Sequence, residues 1–424
     1  MIRKNHIFAG KIPAPMIYRL IGLAFVSCIC ISMVSCQSDS TVDTPDLESG
    51  EATDTVKVES NIETPPAIQY TVDTFLNDYA SLVSGLPADK HFNHFYADSS
   101  YMRLERRGER EWQYMLDNKI NNMRAWADTV VAPNADSVSL FYPFAGADFL
   151  HVDPLFKNVS RYVMVGLEPL GTVIADTGNK RLLKAHADKI YKSLYFSNRL
   201  GFFRTLSMRA ELNQRDLNGA LPLLLFYIRR YGYSISSLEY IQLDSSGNMV
   251  PSEPSGAIGL KIKFHDFKGS IRELDYFRFD LSDGGLSKDD RLIKYVNNMR
   301  PYGVYLKAAS YLMHNNYFTS IRKTITENAR FVLQDDSGIP LSSFDEQIWD
   351  RQLWGKYTKT ISLFRSRYQS NLAKAYKAGP PLPLNFYIGY NITHKECNMM
   401  WFVKNQGASQ GANNNAQNDS TTRQ

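Results

Sequence analysis

Two stretches of this sequence carry the spacing that ligand chemistry requires. Val138 to Tyr142 is a short apolar run that leads into Pro143-Phe144-Ala145-Gly146-Ala147-Asp148. A second run, Tyr162 to Leu167, ends in Glu168, 22 positions after Gly146. In an α/β fold, a glycine turn after one strand lets a ligand approach the backbone. A carboxylate at the end of the next strand can then grip the ribose hydroxyls of a nucleotide or adenosyl compound. Tyr142, Gly146, Asp148 and Glu168 are therefore the candidate ligand-binding residues. The same stretch also fits a purely structural turn. It holds one glycine where such motifs hold two or three, Pro143 follows the strand directly, Asp148 can cap a following turn, and Glu168 can pair with an arginine.

Asp335-Asp336-Ser337-Gly338 follows the apolar run Phe331-Val332-Leu333. It offers Asp335 and Asp336 to a cation or, through its backbone, a phosphate, although Asp, Ser and Gly are also what ordinary turns use. His91 with His94, and His151 with Asp153, have metal-compatible spacing but sit in no longer signature such as HExxH, so no metal is expected. There is no Walker loop, G-x-S-x-G elbow or paired CxxC, and the chain names no catalytic group.

The elements that must position these residues alternate between helix and strand. Apolar residues recur at helical spacing in Phe75–Leu86 and in Trp112–Trp126, and further helices are expected at 181–196, 220–231, 305–313, 317–329 and 349–376. Pro222 in a first turn and Gly232 as a stop frame the fourth of these. Strands are expected at 138–142, 162–167, 238–243, 331–333 and 384–392, with 259–265 and 273–279 as an antiparallel hairpin around Lys268-Gly269. The expected fold is mixed α/β, a partly parallel central sheet covered by helices.

The 424 residues are 44% apolar, 12% aromatic and 21% charged, with a mean hydropathy of −0.32. These values exclude a disordered chain, a collagen-like fibre and a polytopic membrane protein. The one strongly apolar run, Leu20 to Ser35, follows Arg3, Lys4, Lys11 and Arg19 and is shorter than the roughly 20 residues a spanning helix needs. It ends in Met33-Val34-Ser35-Cys36, which resembles a bacterial lipobox. That resemblance implies a signal peptide over 1–35 and acylation of Cys36, which would make the lipid bilayer the protein's first partner. Residues 36–69 then form a lipidated, acidic, disordered tether: eight acidic residues against Lys57 cannot bury enough surface to offset chain entropy. The body is 70–404, as one large domain or two, and 405–424 is a polar low-complexity tail.

Of the four cysteines, Cys397 alone would remain unmodified, beside Trp401 and Phe402, so a buried thiol is expected rather than a nucleophile or a disulfide. Between tether and tail the body holds 42 Lys and Arg against 34 Asp and Glu, spread along its length. That implies mild attraction to anionic surfaces and no nucleic-acid footprint. Together with the lipobox and the tether, the segments FYPFAGADF, VGLEPLG, LKAASYLM and LQDDSGIP resemble exported lipoproteins of the Bacteroidetes. The resemblance implies an outer-membrane lipoprotein, on the periplasmic or the surface face, and carries no activity.

Two functions follow as expectations. One is a non-catalytic binding or interaction module of the envelope, without a cofactor and with a protein or glycan partner. The other is an α/β enzyme, or a degenerate relative, with a nucleotide or adenosyl pocket near residues 142–168. They separate on geometry, since the second requires strands 138–142 and 162–167 to lie side by side and parallel beneath a concave pocket.

Overall fold

The apolar runs become strands buried on both faces, the behaviour of a parallel sheet covered on either side by helices. The computed structural model describes residues 71–87, 91–95, 98–135, 138–173, 181, 184–185, 187–191, 213–214, 217–309, 311–390 and 397–405. The expected signal segment, Cys36, the expected tether, the tail beyond 405 and the C-terminal end of the helix expected at 181–196 lie outside them.

The strands are β1 (Ser139–Tyr142), β2 (Arg161–Gly166), β3 (Asn213–Gln214), β4 (Leu217–Asn218), β5 (Ser234–Leu243), β6 (Met249–Pro251), β7 (Gly259–His265), β8 (Ile271–Arg278), β9 (Tyr302–Leu306), β10 (Phe331–Gln334), β11 (Trp349–Gly355) and β12 (Asn398–Lys404). All but the small β3–β4 pair join one sheet, in the order β11-β12-β10-β9-β1-β2-β8-β7-β5-β6. Its centre, β10-β9-β1-β2-β8, is parallel throughout, with Phe141 opposite Val163 and Leu140 opposite Gly303. Antiparallel strands extend both edges, including the expected β7–β8 hairpin.

In chain order the five parallel strands read third, second, first, fourth, fifth across the sheet. The connections leave β1 and β9 toward opposite edges, so a topological switch point lies between them, where doubly wound sheets open a crevice at the carboxyl ends of the strands.

Alternate side chains feed two helical layers. Leu140, Tyr142, Tyr162, Met164, Leu274 and Tyr276 join the core beneath helices Thr74–Ser84, Ser99–Met115, Asn121–Val130 and Leu221–Arg230. Phe141, Val163, Val165, Phe277, Val304 and Val332 join the core beneath Arg291–Asn298, Thr319–Asn328 and Ser370–Ala378. Local signals explain several helix ends. The Asp73 carboxylate accepts from Leu76 N at 2.9 Å, and Gly85 stops that helix at φ 64°. Pro222 sits in a first turn, and Gly232 follows that helix at φ 85°.

Gly303 lets β9 and β10 close together: a Cβ there would lie 1.9 Å from Phe331 Cζ. Gly303→Ala is expected to cost about 2 kcal/mol by overpacking, read from urea unfolding. A loss under about 0.5 kcal/mol would show that the ring moves aside freely.

Three expectations are corrected. Residues 305–313, read as helix, contain the end of β9 and a loop, because a five-residue run buried on both faces has no periodicity to separate strand from helix. Residues 349–376 begin as β11, pass through a short 3-10 segment at Ser362–Arg367 and become α-helical only at Ser370. The last strand is β12, not 384–392, where no strand forms among the described residues.

Candidate functional site

A cavity of about 340 Å³ opens at the carboxyl ends of four adjacent strands. The loop after β1 contributes Phe144 and Gly146, and β2 contributes its last residue, Gly166, with Leu167 and Glu168 directly after it. Phe279, Asp280 and Leu281 follow β8, while Ala308 and Ala309 follow β9. The rings of Phe144 and Phe318, 5.5 Å apart and nearly perpendicular, form one wall. The lining is mostly apolar, and its ionisable groups among the described residues are two acids, Glu168 and Asp280.

The two loops that frame the cavity carry unusual backbone. Among the described residues, the three non-glycine positions with positive φ are Phe144 (60°), Ala308 (48°) and Tyr311 (56°), and Gly146 joins them at 56°. Such conformations cost free energy and persist only where the surroundings hold them, commonly at binding sites. The holding contacts are visible here. Ala145 N donates to Val165 O at 2.7 Å, which folds the first loop over the end of β2.

The second loop is held by the Asp335-Asp336-Ser337 turn. Asp335 accepts from Ala308 N at 3.0 Å, Ser337 Oγ from Ala309 N at 2.9 Å, and Asp336 from Tyr311 OH at 2.5 Å. Asn398 Nδ2 donates to the other Asp336 oxygen at 2.9 Å. The two carboxylates expected to face a cation or phosphate are thus buried and engaged by protein donors, and they position the loop instead. Burial and the neighbouring Asp336 raise Asp335 to about 6, and burial raises Asp336 as well.

Of the four residues expected to meet a ligand, Gly146 and Glu168 line the cavity and Tyr142 and Asp148 do not. Glu168 folds back beneath the first loop, accepting from Leu167 N at 3.0 Å and from Tyr276 OH at 3.1 Å. A Cβ on Gly146 would stand 3.3 Å from its Oε1, and one on Gly166 2.3 Å from its Oε2. The glycines therefore seat the acid as well as opening the backbone.

Tyr142 and Asp148 belong to a buried polar cluster on the other face of the sheet. Tyr142 OH donates to Asp148 Oδ2 at 3.0 Å, His151 Nδ1 lies 2.7 Å from Oδ1, and Lys307 Nζ forms an ion pair with the same carboxylate. Burial opposes ionisation of Asp148, but the neighbouring His151 and Lys307 outweigh it and hold the carboxyl down to about 2. Burial pushes His151 down to about 3, so at neutral pH the imidazole is uncharged and Lys307 is the counter-ion. The same Nδ1 lies 2.9 Å from Lys307 Nζ, so the tautomer decides whether it donates to Asp148 or accepts from Lys307. Lys119 lies close by. Burial, followed by the charge of Lys307, pushes it down to about 7, and its Nζ sits 4.3 Å over the Tyr387 ring with no hydrogen-bond acceptor among the described residues.

The metal-compatible pairs are dispersed. His91 bonds Asp78 at 2.8 Å, and His94 packs on Phe95. Asp153 accepts from Tyr233 OH rather than meeting His151. Among the described residues no group of three or more His, Cys, Asp or Glu is placed to hold a metal. Cys397 is buried, accepts from Ile388 N at 3.2 Å, and is pushed up to about 12 by burial.

No family model, no curated protein and no solved structure matches this chain. The reading therefore rests on geometry. Sequence reasoning missed Asp280, Ala308, Ala309 and Phe318. Asp280 lies just past the hairpin, where an acid in a Ser-Asp-Gly-rich loop reads as turn chemistry. The Ala308-Ala309 pair lay inside a stretch misread as helix, and a small pair after a buried run was the available signal.

Proposed function

We propose that this protein is a binding module whose pocket takes a nucleoside-type ligand that carries no phosphate, of the adenosyl class. The supporting observation is the 340 Å³ cavity above the adjacent, parallel β1 and β2, beside the switch point where doubly wound sheets hold such ligands. Phe144 and Phe318 offer faces and edges for a flat base. The acids Glu168 and Asp280 suit amino and hydroxyl donors, or a cationic group, and repel the phosphates of a nucleotide.

Thermal-shift titration with adenosine, an adenosyl sulfonium compound and ATP tests this. At about 100 times its Kd, a ligand that fits stabilises the fold by about 2.7 kcal/mol, which raises the midpoint. ATP is expected to be the weakest of the three. The Phe318→Ala variant is expected to lose about tenfold in affinity while remaining folded. A flat response to all three compounds sinks the proposal.

A second reading concerns location and is supported by the Leu20–Ser35 run, the lipobox-like ending and the acidic stretch after it. We propose that acylated Cys36 tethers the body to the bilayer of the envelope, which raises its local concentration near a protein or glycan partner. Mass spectrometry of the native protein and fractionation of Cys36→Ala test this. An unmodified sulfur, or a variant still in the membrane, overturns it.

A further inference from the structure

A second concavity, about 500 Å³, lies between helix Ser99–Met115 and helical residues of 181–191, and shares no residue with the pocket above the sheet. Arg103 and Arg107 are one turn apart on the first wall, so they share a face. Arg181 and Lys184 face them from the second. All four are exposed, and none has a hydrogen-bond or ion-pair partner among the described residues.

Two acids offset this charge in part. Asp188 lines the groove. Asp98, the N-cap of the first helix, is lowered by its Ser100 hydrogen bonds and, to a lesser degree, by the charge of Lys184. Among the described residues, four cations against two acids leave an excess of positive charge at this open concavity. Like charges one turn apart repel by a few tenths of a kcal/mol, so an anion between them is favoured.

The walls are held in place. The Tyr191 ring lies so close to Gly108 that a Cβ there would stand 2.0 Å from it, and the same ring meets Phe226 edge-on at 6.0 Å. Elsewhere on the first helix the charge is used structurally: Glu109 pairs with the buried Arg230. Among the described residues the groove arginines have no such task. Their planar forks match phosphate oxygens two at a time, which a lone ammonium cannot do.

We propose that this groove binds a phosphate-bearing anion, gripped by Arg103 and Arg107 on one side and by Arg181 and Lys184 on the other. Phosphate chemistry of this kind comes either from a soluble phosphoester or from an anionic phospholipid headgroup.

The test compares the full chain with Arg103→Glu/Arg107→Glu, a pair of surface changes away from both cores. One arm titrates inorganic pyrophosphate by calorimetry at low and at physiological salt. The other measures binding to phosphatidylcholine vesicles with and without phosphatidylglycerol and scores only the phosphatidylglycerol-dependent part, since any anchor is common to both proteins. The expected result is binding in at least one arm, weakened by salt and reduced at least about tenfold by charge reversal. Arg103→Lys/Arg107→Lys, which keeps the charge but loses the fork, is expected to bind more tightly than the charge reversal and less tightly than the wild type. The arm that responds identifies the source of the phosphate. Binding in neither arm, or binding unchanged by charge reversal, overturns the proposal.

Discussion

Asp148→Ala is expected to remove about 3–5 kcal/mol of stability, the largest single loss among the variants considered, because it leaves Lys307 buried without its counter-ion. The carboxylate also accepts from Tyr142 OH, which loses its acceptor at the same time, while His151 Nδ1 is left facing Lys307 Nζ alone at 2.9 Å. Either Lys307 gives up its proton or the core admits water, and both cost free energy. Asp148→Ala/Lys307→Met is expected to recover much of the loss, since removing both charges also removes the uncompensated one. Urea unfolding of the wild type and the two variants reads the effect. A loss under about 1 kcal/mol for Asp148→Ala would show that the cluster is already hydrated.

The pH dependence follows with a definite sign. The folded pKa of Asp148, about 2, lies below the ordinary 3.8, so its contribution is present above the ordinary value and lost as pH falls through the folded one. His151, held down to about 3, acts in the same direction. Below its ordinary 6.5 the unfolded chain takes up a proton that the native imidazole refuses. Asp335 opposes both. Its folded pKa is raised to about 6, so its contribution is present at low pH and lost as pH rises from 3.8 toward 6. Asp148→Ala is therefore expected to flatten the acid limb of the stability curve between about pH 4 and pH 2.

Lys119→Met is expected to stabilise the protein by roughly 3 kcal/mol at pH 7, the largest gain among the variants considered. The ammonium is buried with Lys307 nearby, and its contacts on the favourable side are the Tyr387 ring at 4.3 Å and the charge of Asp148. Methionine has a similar length and no charge to desolvate. Between about 10.5 and 7 the unfolded chain binds a proton at this position that the native state refuses, so native stability falls as pH falls through that window. The gain from Lys119→Met is thus expected to be complete at pH 7 and below, and to vanish above about pH 10.5. Thermal unfolding across that range measures it. A gain of the same size at both ends would assign it to packing rather than charge.

How much of this was legible in the sequence differs from element to element. β1 and β2 could be read because turn residues bound their apolar runs, and Glu168 could be placed because it ends one of them. The β7–β8 hairpin alternates apolar and polar residues around a short turn, which is local information. β9 could not be separated from a helix, since a strand buried on both faces loses the period-two signal. β12 went unread, although Met399 to Phe402 is apolar. It pairs antiparallel with strands that precede it by several dozen residues, and no nearby turn marks it.

Local physics therefore determined the class of fold, the glycine turn and the acid that follows β2, because those depend on neighbouring residues and backbone sterics. Tertiary structure alone decided which of the candidates share a site. Tyr142 and Gly146 lie four positions apart, yet strand pleating and a left-handed turn send one into a charged core and the other to the cavity wall. Ala308 and Phe318 reach that wall only because β9 returns to the far side of β1, and Asp280 only because β8 lies beside β2. Strand order arises from the global balance of burial, and no window of sequence contains it.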